Sequence, residues 1–244
     1  MEVAPERLPS LTEGWDRALA IVAHPDDLEY GAAAAIARWT DQGKWIGYVL
    51  ASSGEAGIDG LHPDEAGPLR EAEERAGAAH VGVTTVEFLG HRDGVIETGL
   101  ALRRDLARAI RRHRPDGLIL MNYADRWGFG PMNMADHRAV GIAALDAARD
   151  AGNRWVFPEL MDEGLEPWGG VMWAAVNAAP ACTHAVDVTA TIDRGIASLA
   201  EHRAYLAGLG DGGTEPDAFL RENAARGGRR LGVDYAVEFE VVAL

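Results

Sequence analysis

The chain has 244 residues, 48% of them hydrophobic and 25% charged, with a formal net charge of −15 at pH 7. That length and balance suit one large α/β domain spanning 1–244 and exclude a disordered chain. The negative field opposes a phosphate backbone and so excludes a general nucleic-acid surface, while the single cysteine, Cys182, excludes a disulfide framework and an all-cysteine metal site.

Residues 1–14 carry neither a basic start followed by an apolar run nor a small-residue cleavage pattern, and no later run reaches membrane-span length. A soluble cytoplasmic protein with no membrane partner is therefore expected. Apolar, β-leaning runs at 18–23, 45–51, 86–89 and 117–121 predict buried strands, and helical periodicity between them predicts helices over 30–42, 68–80 and 100–113. This alternation implies right-handed crossovers and a mostly parallel sheet, whose ligands collect beyond the carboxyl ends of the strands. A Gly/Asn/aromatic loop, 122–134, leads into a helix over 136–150 that Asp136 is placed to cap. The remaining third is less regular: a Trp/Pro/Gly-rich stretch at 157–170, a strand at 171–176, helices at 191–209 and 217–226, and a closing strand at 237–242. The Gly/Asp-rich stretch 208–214 reads as a mobile loop inside the domain.

The chemistry concentrates where the first predicted strand ends, in Ala23-His24-Pro25-Asp26-Asp27-Leu28-Glu29. Without thiolates, zinc takes imidazole and carboxylate ligands and keeps a place open for water in catalytic sites. His24 and Asp27, three apart in a turn stiffened by Pro25, could present two ligands, leaving Asp26 free as a base. Asp136-His137 follows the fourth predicted strand on the same expected sheet edge and could add a third. The same acids also suit ordinary helix starts, where caps and the helix dipole favour them.

These residues carry a resemblance. Ala23 to Asp27 resembles the AHPDD signature of the LmbE/PIG-L family of zinc N-deacetylases, and Asp136-His137 is similar to the end of its His-x-Asp-His motif. Ser53-Gly54-Glu55-Ala56-Gly57, Leu69-Arg70-Glu71, Phe88-Leu89-Gly90 and Asp93-Gly94 resemble family segments in order, so the likeness covers roughly 18–145. It implies a Rossmann-like fold, a zinc or other divalent ion held by His24, Asp27 and His137, and Asp26 as the general base. It also implies hydrolysis of an N-acyl, usually N-acetyl, amide on an amino-sugar-like small molecule. Arg70, Asp93 and Asp136 match positions that line the site or organise its histidines. The first histidine of the later motif is replaced by Met134, which cannot carry a proton, so Asp26, His91, His184 or His202 would have to protonate the leaving amine. A metal-holding metabolite-binding protein with weak or lost catalysis is the alternative that this replacement raises.

Other features have plainer readings. His62-Pro63-Asp64-Glu65 repeats part of the first motif but suits a helix entrance, and His202 with Tyr205 suits a packed helix bearing a surface histidine. The basic run Arg111-Arg112-His113-Arg114 complements a helix C-terminus. Trp127 and Phe129 could stack on a sugar face or pack the loop down. Gly54 and Gly57 make no dinucleotide fingerprint, since His-Pro-Asp-Asp occupies its place after the first strand. The expected partner is thus a small N-acyl amino sugar, and a homo-oligomer is compatible with the sequence.

Overall fold

The computed structural model describes residues 6–128, 130–210 and 215–244. Strands without a polar face must be covered on both sides. β1 (Arg17–Val22), β2 (Trp45–Leu50) and β4 (Gly117–Met121) have that character, and they run parallel in the middle of a seven-stranded sheet. β3 (Thr85–Phe88) and β5 (Trp173–Asn177) extend it on either side, followed by β7 (Ala236–Ala243) and, at the edge, β6 (His184–Asp187). The order is β3-β2-β1-β4-β5-β7-β6, with β7 antiparallel to both its neighbours.

Helices α1 (Ala33–Asp41), α2 (Pro63–His80), α6 (Ile192–Ala200) and α8 (Pro216–Leu231) pack on the side holding the buried rings of Trp39, Tyr48 and Phe239. The opposite face carries α3 (Leu100–His113), α4 (Ala135–Gly152) and the short α5 (Glu159–Asp162), packed through Leu102, Leu106, Ile110 and Leu160. The chain winds from β1 outward to β3, then crosses to β4 on the other side of β1. Connections leaving β1 and β4 therefore diverge and open a crevice, the topological switch point where α/β sheets bind ligands.

The expected α/β, mostly parallel arrangement holds, with several boundaries moved. The predicted helix at 30–42 begins at Ala33, because residues 25–32 form tight turns in which Leu28 C=O accepts from the N–H groups of Gly31, Ala32 and Ala33. α2 begins at Pro63 rather than Pro68: Pro63 takes the first helical position, and His62 Nδ1 accepts the Asp64 N–H at 3.3 Å. His62-Pro63-Asp64-Glu65 is thereby a helix start. The helix expected over 191–209 is two, α6 and α7 (Arg203–Gly208), since Glu73 Oε1 accepts the Ala204 N–H and caps a new helix. The edge strand β6 was not anticipated; it is four residues long and begins with polar His184. Part of the predicted 208–214 loop, residues 211–214, lies outside the described residues.

Leu118 in β4 is fully buried against the α3 and α4 side. Leu118→Ala is expected to cost about 2–5 kcal/mol, read as a lower denaturant midpoint at unchanged m-value.

Candidate metal centre and active site

The chain turns sharply as β1 ends, and Asp27 makes the turn. Its Oδ2 accepts the backbone N–H groups of Ala23 at 3.1 Å and His24 at 3.0 Å. Asp26 is left at φ 91°, a left-handed conformation that a side chain occupies only when its surroundings enforce it. Those surroundings are specific. The Asp26 N–H donates to Glu74 Oε2 at 3.1 Å, and Arg70 Nη2 donates to Asp26 Oδ2 at 2.9 Å and to Pro25 C=O at 2.6 Å. Arg70 lies over the Tyr205 ring at 4.1 Å, and the Tyr205 hydroxyl hydrogen-bonds the Asp26 carboxyl. A Cβ on Gly54 would meet Arg70 Nη1 at 2.6 Å, and one on Gly57 would collide with the same atom. The glycines after β2 thus make room for the guanidinium that holds Asp26.

His24, Asp27 and His137 each present a ligand atom, and these three atoms lie within 4.8 Å of one another. The neighbours fix which ring nitrogen each histidine offers. Asn133 donates its Nδ2 hydrogens to the Asn122 and Ala124 carbonyls, so its Oδ1 must accept from His137 Nδ1 at 3.0 Å. His137 Nε2 then carries a lone pair, 3.0 Å from Asp27 Oδ1, and it is buried with no hydrogen-bond partner among the described residues. In the neutral ring two lone pairs this close are adverse, and a proton or a metal ion between them relieves it. His24 Nε2 faces Asp136 Oδ2 at 3.2 Å and Asp93 Oδ1 at 3.1 Å, which directs its proton there and leaves Nδ1 on the Asp27 side. Carboxylate and amide partners behind the rings are the arrangement that orients metal-ligating histidines, and the donor set fits a divalent ion.

Electrostatics of the metal-free chain express the same demand. Burial works against a charged His24, yet the hydrogen bonds its protonated ring donates to Asp136, Asp27 and Asp93 raise its pKa to about 12. Burial alone would raise Asp27, but His137 and His24 hold it well below the usual carboxylate range. Asp26 differs. Its burial outweighs the opposing charge of Arg70, and with Asp27 adding repulsion its pKa rises to about 7.

The remaining candidates are divided. Asp93 and Asp136 converge on His24, and both are tied to backbone: Asp93 Oδ2 accepts the Ala56 N–H at 2.8 Å, while Asp136 accepts the N–H groups of Gly94 at 2.7 Å and Ile96 at 3.1 Å. Asp136 does not cap α4 as expected. Met134 is the N-cap residue, with no side-chain cap bond, and the Asp136 carboxylate turns toward His24 instead. His91 pairs with Asp105 at 3.2 Å and His184 contacts Thr183, and neither lines the cavity. His202 is fully buried, which corrects the surface reading; it faces Glu29 and Glu74, away from the cavity lining. Met134 lines the cavity at 51% exposure. Trp127 also lines it, edge-on to His137 at 5.7 Å, whereas Phe129 lies outside the described residues. Glu74, Tyr205 and Asn133 escaped the sequence reading. Glu74 sits one turn after Arg70 and Asn133 one turn before His137, the helical spacing that could have pointed to them.

The site opens into a cavity of about 1080 Å³ that includes Tyr30, Asn177, Phe219 and Arg226 in its lining. A doubly wound α/β chain with such a cluster at its switch point has the architecture of α/β domains that hold a ligand beyond the carboxyl ends of their strands. More narrowly, residues 19–148 match the PIG-L family, GlcNAc-PI de-N-acetylase, and the chain belongs to that family. It is 28% identical over 215 residues to the 1D-myo-inositol 2-acetamido-2-deoxy-alpha-D-glucopyranoside deacetylase of Nocardioides sp., covering 71% of this chain and 68% of the relative. The N,N'-diacetylchitobiose deacetylase of Pyrococcus horikoshii superposes with a TM-score of 0.85 at 24% identity, over 94% of this chain and 85% of that one. The 4-carboxy-2-hydroxymuconate hydratase of Pseudomonas putida KT2440 gives 0.75 at 20% identity, over 93% and 96%. These two structural likenesses show the shared fold.

A histidine whose folded pKa is raised contributes stability that is complete below its unfolded value of 6.5 and is lost as pH rises toward about 12. In chelator-treated protein, ¹⁵N imidazole spectra are expected to keep both ring protons on His24 between about pH 6 and 9. A midpoint near 6.5 would contradict the contacts with Asp93 and Asp136.

Proposed function

We propose that this protein is a zinc-dependent N-deacetylase acting on an N-acetylated amino-sugar-like small molecule. The observation that carries the reading is a buried carboxyl, Asp26, beside the His24, Asp27 and His137 cluster at a cavity wall, in a chain of the PIG-L family. Two imidazoles and one carboxylate, with no thiolate, suit zinc, and another divalent ion could serve. When bound, such an ion polarises a carbonyl oxygen and makes water acidic near neutral pH. His24, Asp27 and His137 would hold it, with Asp93, Asp136 and Asn133 fixing the two rings.

Asp26 handles the protons. Its carboxylate accepts one from the attacking water as the new C–O bond forms, and returns it to the amide nitrogen as the C–N bond breaks, giving acetate and a free amine. Without a cation in the cluster, burial holds Asp26 well above the usual carboxylate range, at about 7, and that upward push lets it take a proton as well as return one. Arg70 orients the carboxylate through Oδ2, and Tyr205 bonds it from the cavity side. His91, His184 and His202 drop out as proton donors on placement. Tyr30, Trp127 and Phe219 offer ring faces and edges for the apolar side of a sugar. The described residues contain no helix long and apolar enough to cross a membrane, and a cytoplasmic location is proposed with that. One observation favours the second reading, a metal-holding binder of such molecules: thioether Met134 stands in the cavity wall where a proton carrier would be useful.

Purified protein should release amine from a panel of N-acetylglucosamine conjugates. Stoichiometric metal without turnover would select the binding protein instead. Asp26→Asn is expected to keep its metal and lose roughly 10²- to 10⁴-fold in turnover. The acidic limb of the wild-type rate profile should have a midpoint below about 7, since Asp26 must be deprotonated to accept a proton and a bound cation lowers it from its metal-free value, and the variant should lack that limb. Loss of metal in step with activity would make Asp26 a ligand.

A further inference from the structure

A second cluster lies against Asp26 and takes no part in the reaction above. Glu29 comes from the turn after β1, Tyr48 from β2, Glu74 from α2, Ser198 from α6 and His202 from the start of α7, and all are at most 1% exposed. Some of their polar atoms are satisfied: Ser198 Oγ donates to the Gly77 C=O at 2.8 Å and lies 3.2 Å from Glu29 Oε1, and Glu74 Oε2 accepts from the Asp26 N–H. Glu29 Oε2, Glu74 Oε1, the Tyr48 hydroxyl and both ring nitrogens of His202 have no hydrogen-bond partner among the described residues. Buried polar atoms are almost always paired, so several orphans at one place call for a ligand, one that can meet a single ring nitrogen of His202 together with the carboxylate oxygens.

The spacing indicates what kind. His202 Nε2 lies 3.7 Å from Glu29 Oε2 and 3.7 Å from Glu74 Oε2, too far for hydrogen bonds. It is close to the edge of about 3.4 Å of a tetrahedron built on metal bonds of about 2.1 Å. One ligand atom from each of the three residues falls within 4.8 Å of the others. Charge points the same way. Two carboxylates share this dry space near Asp26 and Asp27, while Arg70, the neighbouring cation, already donates to Asp26, Pro25 and Gly54. Burial lowers His202 to about 3, which keeps the imidazole neutral and its lone pair available. Without a cation, burial and the repulsion of neighbouring carboxylates push both glutamates toward their protonated forms, so a water would serve only the protonated pair, whereas a divalent ion lets both ionise and bind it.

We propose that Glu29, Glu74 and His202 form a second, internal divalent-cation site, distinct from the His24, Asp27 and His137 cluster. Two carboxylates and an imidazole suit zinc or manganese, with the Tyr48 hydroxyl at hand as a further oxygen donor. Glu29 also lines the main cavity, which gives an ion a path inward. An ion there fixes Glu74, and through Glu74 the N–H that holds Asp26 in its left-handed turn.

The test is metal content and location, neither of which depends on amide hydrolysis. Protein saturated with ZnCl₂ or MnCl₂ and freed of loose metal should hold two ions per chain by elemental analysis. His137→Ala and His202→Leu should each retain one, and Glu29→Gln should behave like His202→Leu. Anomalous diffraction from crystals of the unmutated protein should place a peak between Glu29, Glu74 and His202, which guards against variants that fail to fold. One ion per chain, unaltered by His202→Leu or Glu29→Gln, would overturn the proposal. So would anomalous density confined to the His24 cluster, or a second ion anywhere else.

Discussion

Negative charge gathered in a dry place is the constraint around which this molecule is built. Asp26, Asp27, Glu29, Glu74 and Asp136 are all buried at or behind the carboxyl ends of the central strands, and Arg70 and His24 are the cationic groups set among them. Carboxylates left that way cost more than a marginally stable protein can absorb, so each must be hydrogen-bonded, protonated or paired with a cation. The chain uses all three. Asp27 and Asp136 take backbone N–H groups, Asp26 and Glu29 are pushed toward their protonated forms, and His24 without metal keeps a proton that answers the surrounding acids. A divalent ion held by His24, Asp27 and His137 would replace that proton with a stronger charge, which would tie metal affinity to pH.

The same constraint explains why the backbone bends as it does at Asp26. A left-handed aspartate would relax if its N–H and carboxyl were free, but Glu74 holds the one and Arg70 the other. Both anchors project from α2, four residues apart and therefore on one face, so the register of a single helix sets both contacts. Room for Arg70 depends in turn on Gly54 and Gly57 in the connection after β2. Strand, loop and helix form one support, and the Asp26 carboxyl is held by regular elements.

That support also shows what a sequence can disclose. The central strands were legible because continuous apolar runs such as Leu19 to Val22 and Leu118 to Met121 belong in covered parallel sheets, and their order placed His24 and His137 on one edge before any coordinates. Asp27 and His137 stood out because they sit where strands hand over to helices. Glu74, Asn133 and Tyr205 did not, since their importance lies in partners more than forty residues away or in an amide orientation that neighbouring carbonyls decide. His202 was misread for the same reason. Its pattern suits a packed helix bearing a surface histidine, whereas the chain breaks between α6 and α7, where Glu73 takes the Ala204 N–H, and His202 is buried facing Glu29 and Glu74. Local pattern reveals elements; long-range side-chain bonds decide which polar residues they bury.

Met134 makes the division of labour at the site unusual. A site with a second proton carrier can separate the base that activates water from the acid that frees the amine, and each can then have its own pKa. Here the cavity wall offers a thioether at that place, and His91, His184 and His202 are held elsewhere by Asp105, Thr183 and the buried glutamates. On the proposed function one carboxyl, Asp26, would serve in both directions, which is workable only if its pKa lies between those of a good base and a good acid. Burial supplies that value for Asp26, and Arg70 keeps burial from carrying it further. The glutamates behind it matter for the same reason, because any cation or proton they hold alters the field in which Asp26 titrates. The replacement at Met134 and the charge buried beneath Asp26 are thus two parts of one electrostatic arrangement, in which the field around a single residue takes the place of a second one.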